Sequence, residues 1–313
     1  MARNNIQPAE LCYSFQLPTS GSAVTSYIDL AQAASAVNRR LYEQGKCYYI
    51  NRIVMSSTFA SLAVISTLPD NWVTANAWVK AKGLWNTMNQ GVLKDNPSIK
   101  GKWADFKVMF DEAHYAGGVG SGGPTLNLLP VDLSGTAVKA GEWYMARYVE
   151  PQHDVVQATG VEKPADEYYA HMMGVDSGSA GALNSVGIIK GYETTRARVQ
   201  IAPDVPTGMQ DSWMTQLSDL GGQDPELAGV LEDANDNPPY DLDEYPGGGT
   251  NFIGGNIQAA MSTTSSLLID KELGFKVPLG LLKIGSDGSA GTQLHIYLTP
   301  GKYKGLHTTD VKQ

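Results

Sequence analysis

Two short strings in the sequence match motifs of nucleotide-binding enzymes, and each lacks the partner that its chemistry needs. Asp111-Glu112-Ala113-His114 spells the DEAH box of nucleotide-driven helicases, in which an acidic pair holds Mg²⁺. Such motors also need a phosphate-binding GxxxxGK(S/T) loop, and the chain contains neither Gly-Lys-Ser nor Gly-Lys-Thr. The string from Gly118 to Gly123 matches GxGxxG, but a proline follows where a dinucleotide site needs a helix. Neither string predicts an enzyme.

The serines and the five histidines form no catalytic spacing either. No serine lies in a GxSxG context, and no HExxH pair is present. His171 and His295 lie within apolar segments, where we expect hydrogen-bonded core or interface residues. The sequence therefore predicts a protein that is not an enzyme and has no catalytic residues.

One acidic segment offers oxygen ligands for a hard cation. The run that begins at Asp233 resembles the DxNDNxP calcium linker of cadherins, in which carboxylate and amide oxygens bind the ion. Cadherins place this linker between repeated domains, whereas this chain has one copy and no internal repeat. Calcium or magnesium is one interpretation, and a solvated acidic loop is the other. The candidate ligands are Asp233, Asn235, Asp236, Asp241 and Asp243.

Charge is divided unevenly along the chain. The segment from Val199 to Asp270 contains 12 acidic residues and no Lys or Arg. Removing its charge of −12 from the total of −9 leaves +3 for the rest of the chain. Binding to phosphate groups needs basic side chains on one surface. The candidate nucleic-acid contacts are Arg39, Arg40, Lys46 and Arg52, and an ordinary surface cluster is the alternative.

The elements that must position these residues are mainly strands separated by Gly and Pro turns, with no βαβ alternation. One helix is predicted over 75–93, capped by Thr74 and stopped by Pro97, and 186–199 is ambiguous between helix and strand. This pattern favours an all-β fold, a single jelly-roll sandwich of two sheets spanning 1–313. An acidic, Gly/Pro-rich loop is predicted at about 203–255. The predicted strands are 11–17, 26–30, 46–55, 60–67, 103–110, 142–149, 167–173, 274–284 and 292–298.

Composition favours a subunit that hides part of its surface in an assembly. Charged residues make up 18% of the chain, below the roughly 25% of typical soluble domains. Cys12 and Cys47 are too few for a disulfide scaffold, and we expect buried free thiols. The opening residues contain no apolar run typical of a secretory signal, and no stretch approaches the length of a membrane span. The expectation is synthesis in the cytosol without membrane insertion.

Several stretches resemble capsid proteins of small circular Rep-encoding single-stranded DNA (CRESS-DNA) viruses. The first is Asn76-Ala-Trp-Val-Lys-Ala-Lys-Gly-Leu-Trp-Asn-Thr-Met, and the second begins at Gly101-Lys-Trp-Ala-Asp-Phe-Lys. Ala140-Gly-Glu-Trp-Tyr, His171-Met-Met-Gly and Asp236-Asn-Pro-Pro-Tyr-Asp-Leu-Asp-Glu-Tyr-Pro-Gly-Gly continue the likeness. The resemblance implies a jelly roll, assembly of identical subunits into a small icosahedral shell, and a circular single-stranded DNA genome inside. It also implies location in the virion, after synthesis in the host cytosol and assembly in the nucleus.

The opening of the chain departs from that family's pattern. Such proteins usually begin with a long Arg/Lys-rich arm, whereas the first 38 residues here hold one Arg. Without an arm, genome binding depends on the Arg39, Arg40, Lys46 and Arg52 cluster or is weak. The alternative function is a secreted or surface calcium-dependent β-sandwich binding module of lectin or adhesin type, which the acidic run at 233–244 suggests.

Overall fold

The computed structural model describes residues 8–121, 126–139, 141–149, 167–179, 182–195, 245–252, 254–264 and 268–311. In this part of the chain strands outweigh helices. The strands are β1 Cys12–Gln16, β2 Val24–Asp29, β3 Lys46–Ser57, β4 Ser61–Thr67, β5 Met109–Asp111, β6 Arg147–Val149, β7 Glu167–Met173, β8 Ser177–Ser179, β9 Ala182–Gly187, β10 Asn256–Thr263, β11 Leu268–Leu273, β12 Lys276–Val277, β13 Leu281–Ser286, β14 Gln293–Leu298, β15 Pro300–Gly301, β16 Gly305–Leu306 and β17 Thr308–Asp310. The helices are α1 Leu30–Asn38, α2 Trp72–Asp95, α3 Glu112–Gly117 and α4 Ile188–Thr195.

Two antiparallel sheets form the main body. The first sheet has the order β1-β14-β3-β11, and the short strands β12 and β17 also pair with β3. The second sheet has the order β10-β4-β13-β2. Apolar side chains from both sheets meet in one buried cluster, which includes Phe15 and Ile296 of the first sheet and Ile65 and Ile284 of the second. The mostly β, antiparallel architecture predicted from the sequence is confirmed, and it is consistent with a β-sandwich.

Alternation of side chains along the strands fixes which face is buried. Along β14 every second residue is buried, so Leu294, Ile296 and Leu298 face the interior. In the second sheet Ile284 of β13 pairs with Ile65 of β4, and both are fully buried. A slip of one residue would turn these apolar side chains to solvent, so burial holds the register.

Residues 68–255, between β4 and β10, form a large insertion that we call the insert. It contains a third sheet with the order β5-β7-β9-β8, in which β7 pairs with β5 and with β9 in parallel. The third sheet is therefore mixed, although no doubly wound parallel sheet is formed. A second buried cluster joins α2, α4 and the third sheet to Tyr27 and Leu281 of the second sheet. The insert packs on the outer face of the sandwich.

The prediction of one inserted helix was wrong, since the described residues contain four α-helices. Helix α1 was missed because its alanine-rich sequence is only nine residues long, too short to establish a helical period. Asp29 caps it by accepting hydrogen bonds from the backbone N–H groups of Ala31 and Gln32. The ambiguous stretch from Val186 divides into the end of β9 and the helix α4.

The cap predicted for α2 was also wrong. Asn71, not Thr74, begins the helix, because its side-chain oxygen accepts the Thr74 N–H at 2.9 Å. Helix α2 ends at Asp95, and Pro97 starts a short 3₁₀ turn, as the proline predicted.

The strand predicted over 103–110 is mostly replaced by an extended segment, and only Met109–Asp111 pairs as β5. The Lys107 carbonyl accepts the Ala146 N–H at 2.9 Å, and the backbone of Val108 bonds to a side chain. The Val108 N–H donates to Gln44 Oε1 at 2.7 Å, and Gln44 Nε2 donates back to the Val108 carbonyl at 2.9 Å. The amide of Gln44 thus takes the place of a neighbouring strand.

Both cysteines are free thiols, as expected, but only Cys47 is buried and Cys12 is exposed. Among the described residues no helix combines the length and the apolar character that crossing a membrane requires.

Candidate functional site

Three of the four predicted nucleic-acid contacts lie near one end of the first sheet. Arg39 follows α1 with φ of 54°, and Arg40 follows it. Lys46 begins β3, where its ammonium lies 2.7 Å from the Asp310 carboxylate and 5.0 Å from the centre of the Tyr303 ring. The Lys46 ammonium therefore already forms an ion pair and a cation–π contact within the chain.

Arg52 lies six residues further along β3, about 20 Å from Lys46 at strand spacing. Its guanidinium stacks on Tyr297 of the neighbouring strand β14, 4.2 Å from the ring centre. The structure does not bring Arg52 together with Lys46 into one basic surface. Binding of nucleic acid by this set of four residues stays a prediction.

All five candidate metal ligands lie outside the described residues, namely Asp233, Asn235, Asp236, Asp241 and Asp243. Within the described ranges, no three His, Cys, Asp or Glu side chains are grouped closely enough to hold a metal ion.

The Asp111–His114 string joins the insert to the sandwich. The Asp111 carboxylate accepts the Tyr27 hydroxyl at 2.7 Å and the Lys283 ammonium at 2.6 Å. Tyr27 and Lys283 are paired in register on β2 and β13, so one carboxylate from the insert binds both strands. Asp111 also caps α3 by accepting the His114 N–H at 2.9 Å. In the structure, the helicase-like string therefore links the insert to the second sheet.

His114 is held as a neutral ring against this junction. Its Nδ1 accepts the Phe110 N–H at 3.2 Å, so the ring proton lies on Nε2. The ring stacks on Tyr27 with centroids 4.1 Å apart. Burial lowers the pKa of His114 to about 4, although the nearby Asp111 charge acts in the other direction.

A second buried carboxylate, Asp29, binds the insert from α1. Besides the two N–H groups of α1, it accepts Gln44 Nε2 at 3.2 Å and the indole N–H of Trp143 at 3.1 Å. Burial raises the pKa of Asp29 to about 7 despite these four donors. The Lys107 ammonium lies 4.7 Å from the centre of the Trp143 ring. Asp29 and Asp111 are therefore two polar anchors under the insert.

His171 and Ser185 form a hydrogen-bonded pair inside the third sheet. The Val175 carbonyl accepts from His171 Nε2 at 3.0 Å, so the ring proton lies there and Ser185 donates to Nδ1 at 2.6 Å. Both residues are fully buried, and burial lowers the pKa of His171. The pair joins β7 to β9 and presents no accessible nucleophile. His295 bonds to Ser14 and Ser56 across the first sheet.

A cavity of about 300 Å³ lies between α2, α4 and the third sheet. Its walls are mostly apolar and include three tyrosines. Lys80 and Asp176 also line it, and the Lys80 ammonium donates to Thr195 Oγ1 at 2.8 Å. The tyrosines are Tyr148, Tyr168 and Tyr192, of which the first two have ring centroids 5.7 Å apart. No sequence pattern predicted this cavity, because its walls come from segments far apart in the chain.

Beyond the cavity, α2 extends into solvent with basic and apolar side chains. Only the first two turns of the helix contain buried residues. Leu84 and Val92 are exposed, and after the helix end so are Ile99 and Trp103. Lys94, Lys100 and Lys102 lie exposed on the same stretch. The five Lys and three Trp residues between 78 and 103 were the sequence signal that could have identified this surface.

Comparison of the chain with protein-family models, with curated proteins and with solved structures gives no significant match in any of the three.

Proposed function

We propose that the chain is a capsid protein that self-assembles into a small icosahedral shell around a circular single-stranded DNA genome. The observation that carries the proposal is the connectivity of eight strands. In chain order, β1 and β3 belong to the first sheet, while β2 and β4 belong to the second. After the insert the order reverses, so that β10 and β13 lie in the second sheet while β11 and β14 lie in the first.

The antiparallel pairs of these strands are nested. The outermost strands β1 and β14 pair with each other, then β2 with β13, β3 with β11 and β4 with β10. Two Greek keys wound into facing four-stranded sheets have this connectivity, and we infer a jelly roll. Viral capsid domains and lectins use that fold. The capsid interpretation rests further on the resemblance of the sequence stretches around α2.

Exposed apolar side chains support contact between copies of the chain. Leu62 of β4 and Ile257 of β10 are 48% and 69% exposed on the outward face of the second sheet. Strand β10 lies at the edge of that sheet, where unpaired backbone groups favour pairing with another chain. Phe59, in the turn before β4, adds a third exposed apolar side chain. A monomer leaves this surface in water, whereas a shell buries it.

Sedimentation velocity of the purified chain at micromolar concentration tests the proposal. We expect a fast-sedimenting species of many subunits in physiological salt. Ile257→Lys adds a charge at the edge strand and is expected to shift the population to folded monomer. Ala137→Lys adds the same charge at an exposed site outside the two sheets and is the matched control.

A stable monomer of the unaltered chain would contradict the proposal. If the melting temperature of that monomer rose with millimolar calcium, the result would favour the calcium-dependent binding module instead. If Ile257→Lys assembled as well as the control, the shell proposal would stand, but β10 would be excluded as a contact between subunits.

A further inference from the structure

We propose that the exposed part of α2 and the adjoining tyrosine-lined cavity bind single-stranded nucleic acid. The lysines along α2 and the segment after it contact phosphates, and the cavity accepts a base. This inference rests on the proposed function, because a shell around a DNA genome needs a surface that binds phosphate groups.

The exposed part of α2 and the segment after it carry a cluster of positive charges. Lys80, Lys94, Lys100 and Lys102 are exposed. No carboxylate in the described part of the chain lies within ion-pair distance of any of them, whereas Lys46, Lys190, Lys276 and Lys283 all have such partners. Lys80 and Lys94 are separated by about 21 Å along the helix axis. Cations that have no ion pair with a described carboxylate and are spread over this length suit a phosphate backbone better than a single anion.

An aromatic surface lies beside the lysines. Trp103 is 60% exposed, and the Lys102 ammonium lies 4.8 Å from the centre of its ring. Phe106, whose ring centroid lies 5.7 Å from that of Trp85, is fully buried, so Trp103 is the exposed ring of this segment. Proteins that bind single strands combine a basic track with aromatic side chains on which bases stack.

The cavity lies at the base of the projecting helix. Its volume of about 300 Å³ and its tyrosine walls suit a planar base. Lys80 lies on its lining with Asp176. The Asp176 carboxylate repels a phosphate from the interior but accepts hydrogen bonds from the N–H groups of bases, including the imide N–H of thymine. The arrangement therefore places the base inside and the phosphates on the lysines outside.

Fluorescence anisotropy with a fluorescein-labelled 20-nucleotide oligo-dT, measured between 50 and 200 mM NaCl, tests whether these lysines contact phosphates. Four phosphate contacts predict a slope of log K against log salt of about −2.8. Lys94→Ala with Lys100→Ala should reduce the magnitude of that slope by about 1.4. Lys139→Ala with Lys302→Ala removes the same charge at exposed sites elsewhere and should leave the slope unchanged.

Filling the cavity tests whether a base binds inside it. A Cβ atom placed on Gly191, which lines the cavity, meets no atom within 4 Å, so Gly191→Leu is the substitution chosen to fill it. We expect at least fivefold weaker oligo-dT binding, in line with the loss of about one stacked base. Gly254→Leu, at an exposed glycine with equal space and outside the cavity lining, is the control. Trp103→Ala should weaken binding by a similar factor.

Absence of oligo-dT binding at 50 mM NaCl would overturn the proposal, as would equal slopes for the two lysine pairs. An unchanged affinity of Gly191→Leu would overturn the binding of a base in the cavity. If the α2 lysine pair altered sedimentation but not binding, the surface would be a contact between protein copies and the proposal would be wrong. If the chain formed shells but did not bind oligo-dT, only this inference would be refuted. If it bound oligo-dT but formed no shells, only the proposed assembly would be refuted.

Discussion

Different interactions stabilise the interior of the sandwich and the attachment of the insert to it. Inside the sandwich, fully buried apolar side chains such as Ile65, Ile284 and Ile296 meet across two sheets with long, nested strand pairings. The insert has shorter strands, and besides an apolar cluster it is fixed to the outer face by two buried carboxylates, Asp29 and Asp111. Apolar burial is non-directional, whereas each carboxylate binds defined donors.

This difference assigns separate tasks to the two regions. Under the proposed function, the sandwich is the framework of the subunit, and we propose its edge strand β10 as a contact with neighbouring copies. The insert carries the cavity and the projecting helix α2, whose position on the framework depends on directional polar contacts. Substitutions in the two regions are therefore expected to differ in size and in their dependence on pH.

The largest effect is expected from a cavity in the sandwich. Ile284→Ala removes a fully buried side chain that pairs with Ile65, and we expect the free energy of unfolding to fall by about 4 kcal/mol. Urea denaturation measures it. Ile257→Ala, at an exposed position on β10, should change it by less than about 0.5 kcal/mol. A loss below about 1 kcal/mol for Ile284→Ala would mean that the two sheets do not share a tight core.

A slightly smaller loss is expected at the junction of the two regions. Asp111→Ala leaves Lys283 and the Tyr27 hydroxyl without their buried acceptor, which should cost about 3 kcal/mol. Asp70→Ala is the matched control, because it breaks the ion pair with Lys276 at an exposed carboxylate and should cost under about 1 kcal/mol. Similar losses for both variants in urea denaturation would show that Asp111 is not an anchor.

The third effect depends on pH. Because burial lowers the pKa of His114 to about 4, the folded chain stays neutral there while the unfolded chain gains a proton near pH 6.5. Stability from the neutral ring is complete above pH 6.5 and is lost as the pH falls towards 4. The stability of the natural chain relative to His114→Gln should therefore drop by about 2 kcal/mol from pH 7.5 to pH 5. A constant difference would contradict a buried neutral histidine.

The smallest effect concerns the start of α2. Asn71→Ala removes the side-chain acceptor of the Thr74 N–H and should cost about 1 kcal/mol. Thr74→Val should be neutral or stabilising, because the Thr74 hydroxyl is buried without a hydrogen-bond partner. Thermal denaturation of the two variants checks the assignment of the cap, and the opposite ranking would restore the cap predicted from the sequence.

Individual strands were more predictable from the sequence than the packing of the insert. Strand β7 of the insert was predicted at its exact residues and β14 of the sandwich within one residue, because alternation with period two is a local signal. The extended segment before β5 lacks strand pairing because Gln44, some 60 residues earlier, binds Val108. Such a contact leaves no local pattern.

The candidate site was less predictable for the same reason. The lysines of α2 are visible in the sequence, but they are scattered and outnumbered by the chain's acidic residues. That they form no ion pair with a described carboxylate becomes evident only once the positions of those carboxylates are known. The cavity beside Lys80 forms where α2, α4 and the third sheet meet, which depends on the long-range packing of the insert.

Electron microscopy of the purified full chain in physiological salt tests the central claim most directly. Nested strand pairing, an exposed edge strand and exposed apolar side chains lead us to expect closed, uniform, roughly spherical particles made of many copies. Images that show only separate single subunits, at protein concentrations of tens of micromolar where the chain is folded, would contradict the assignment as a capsid protein.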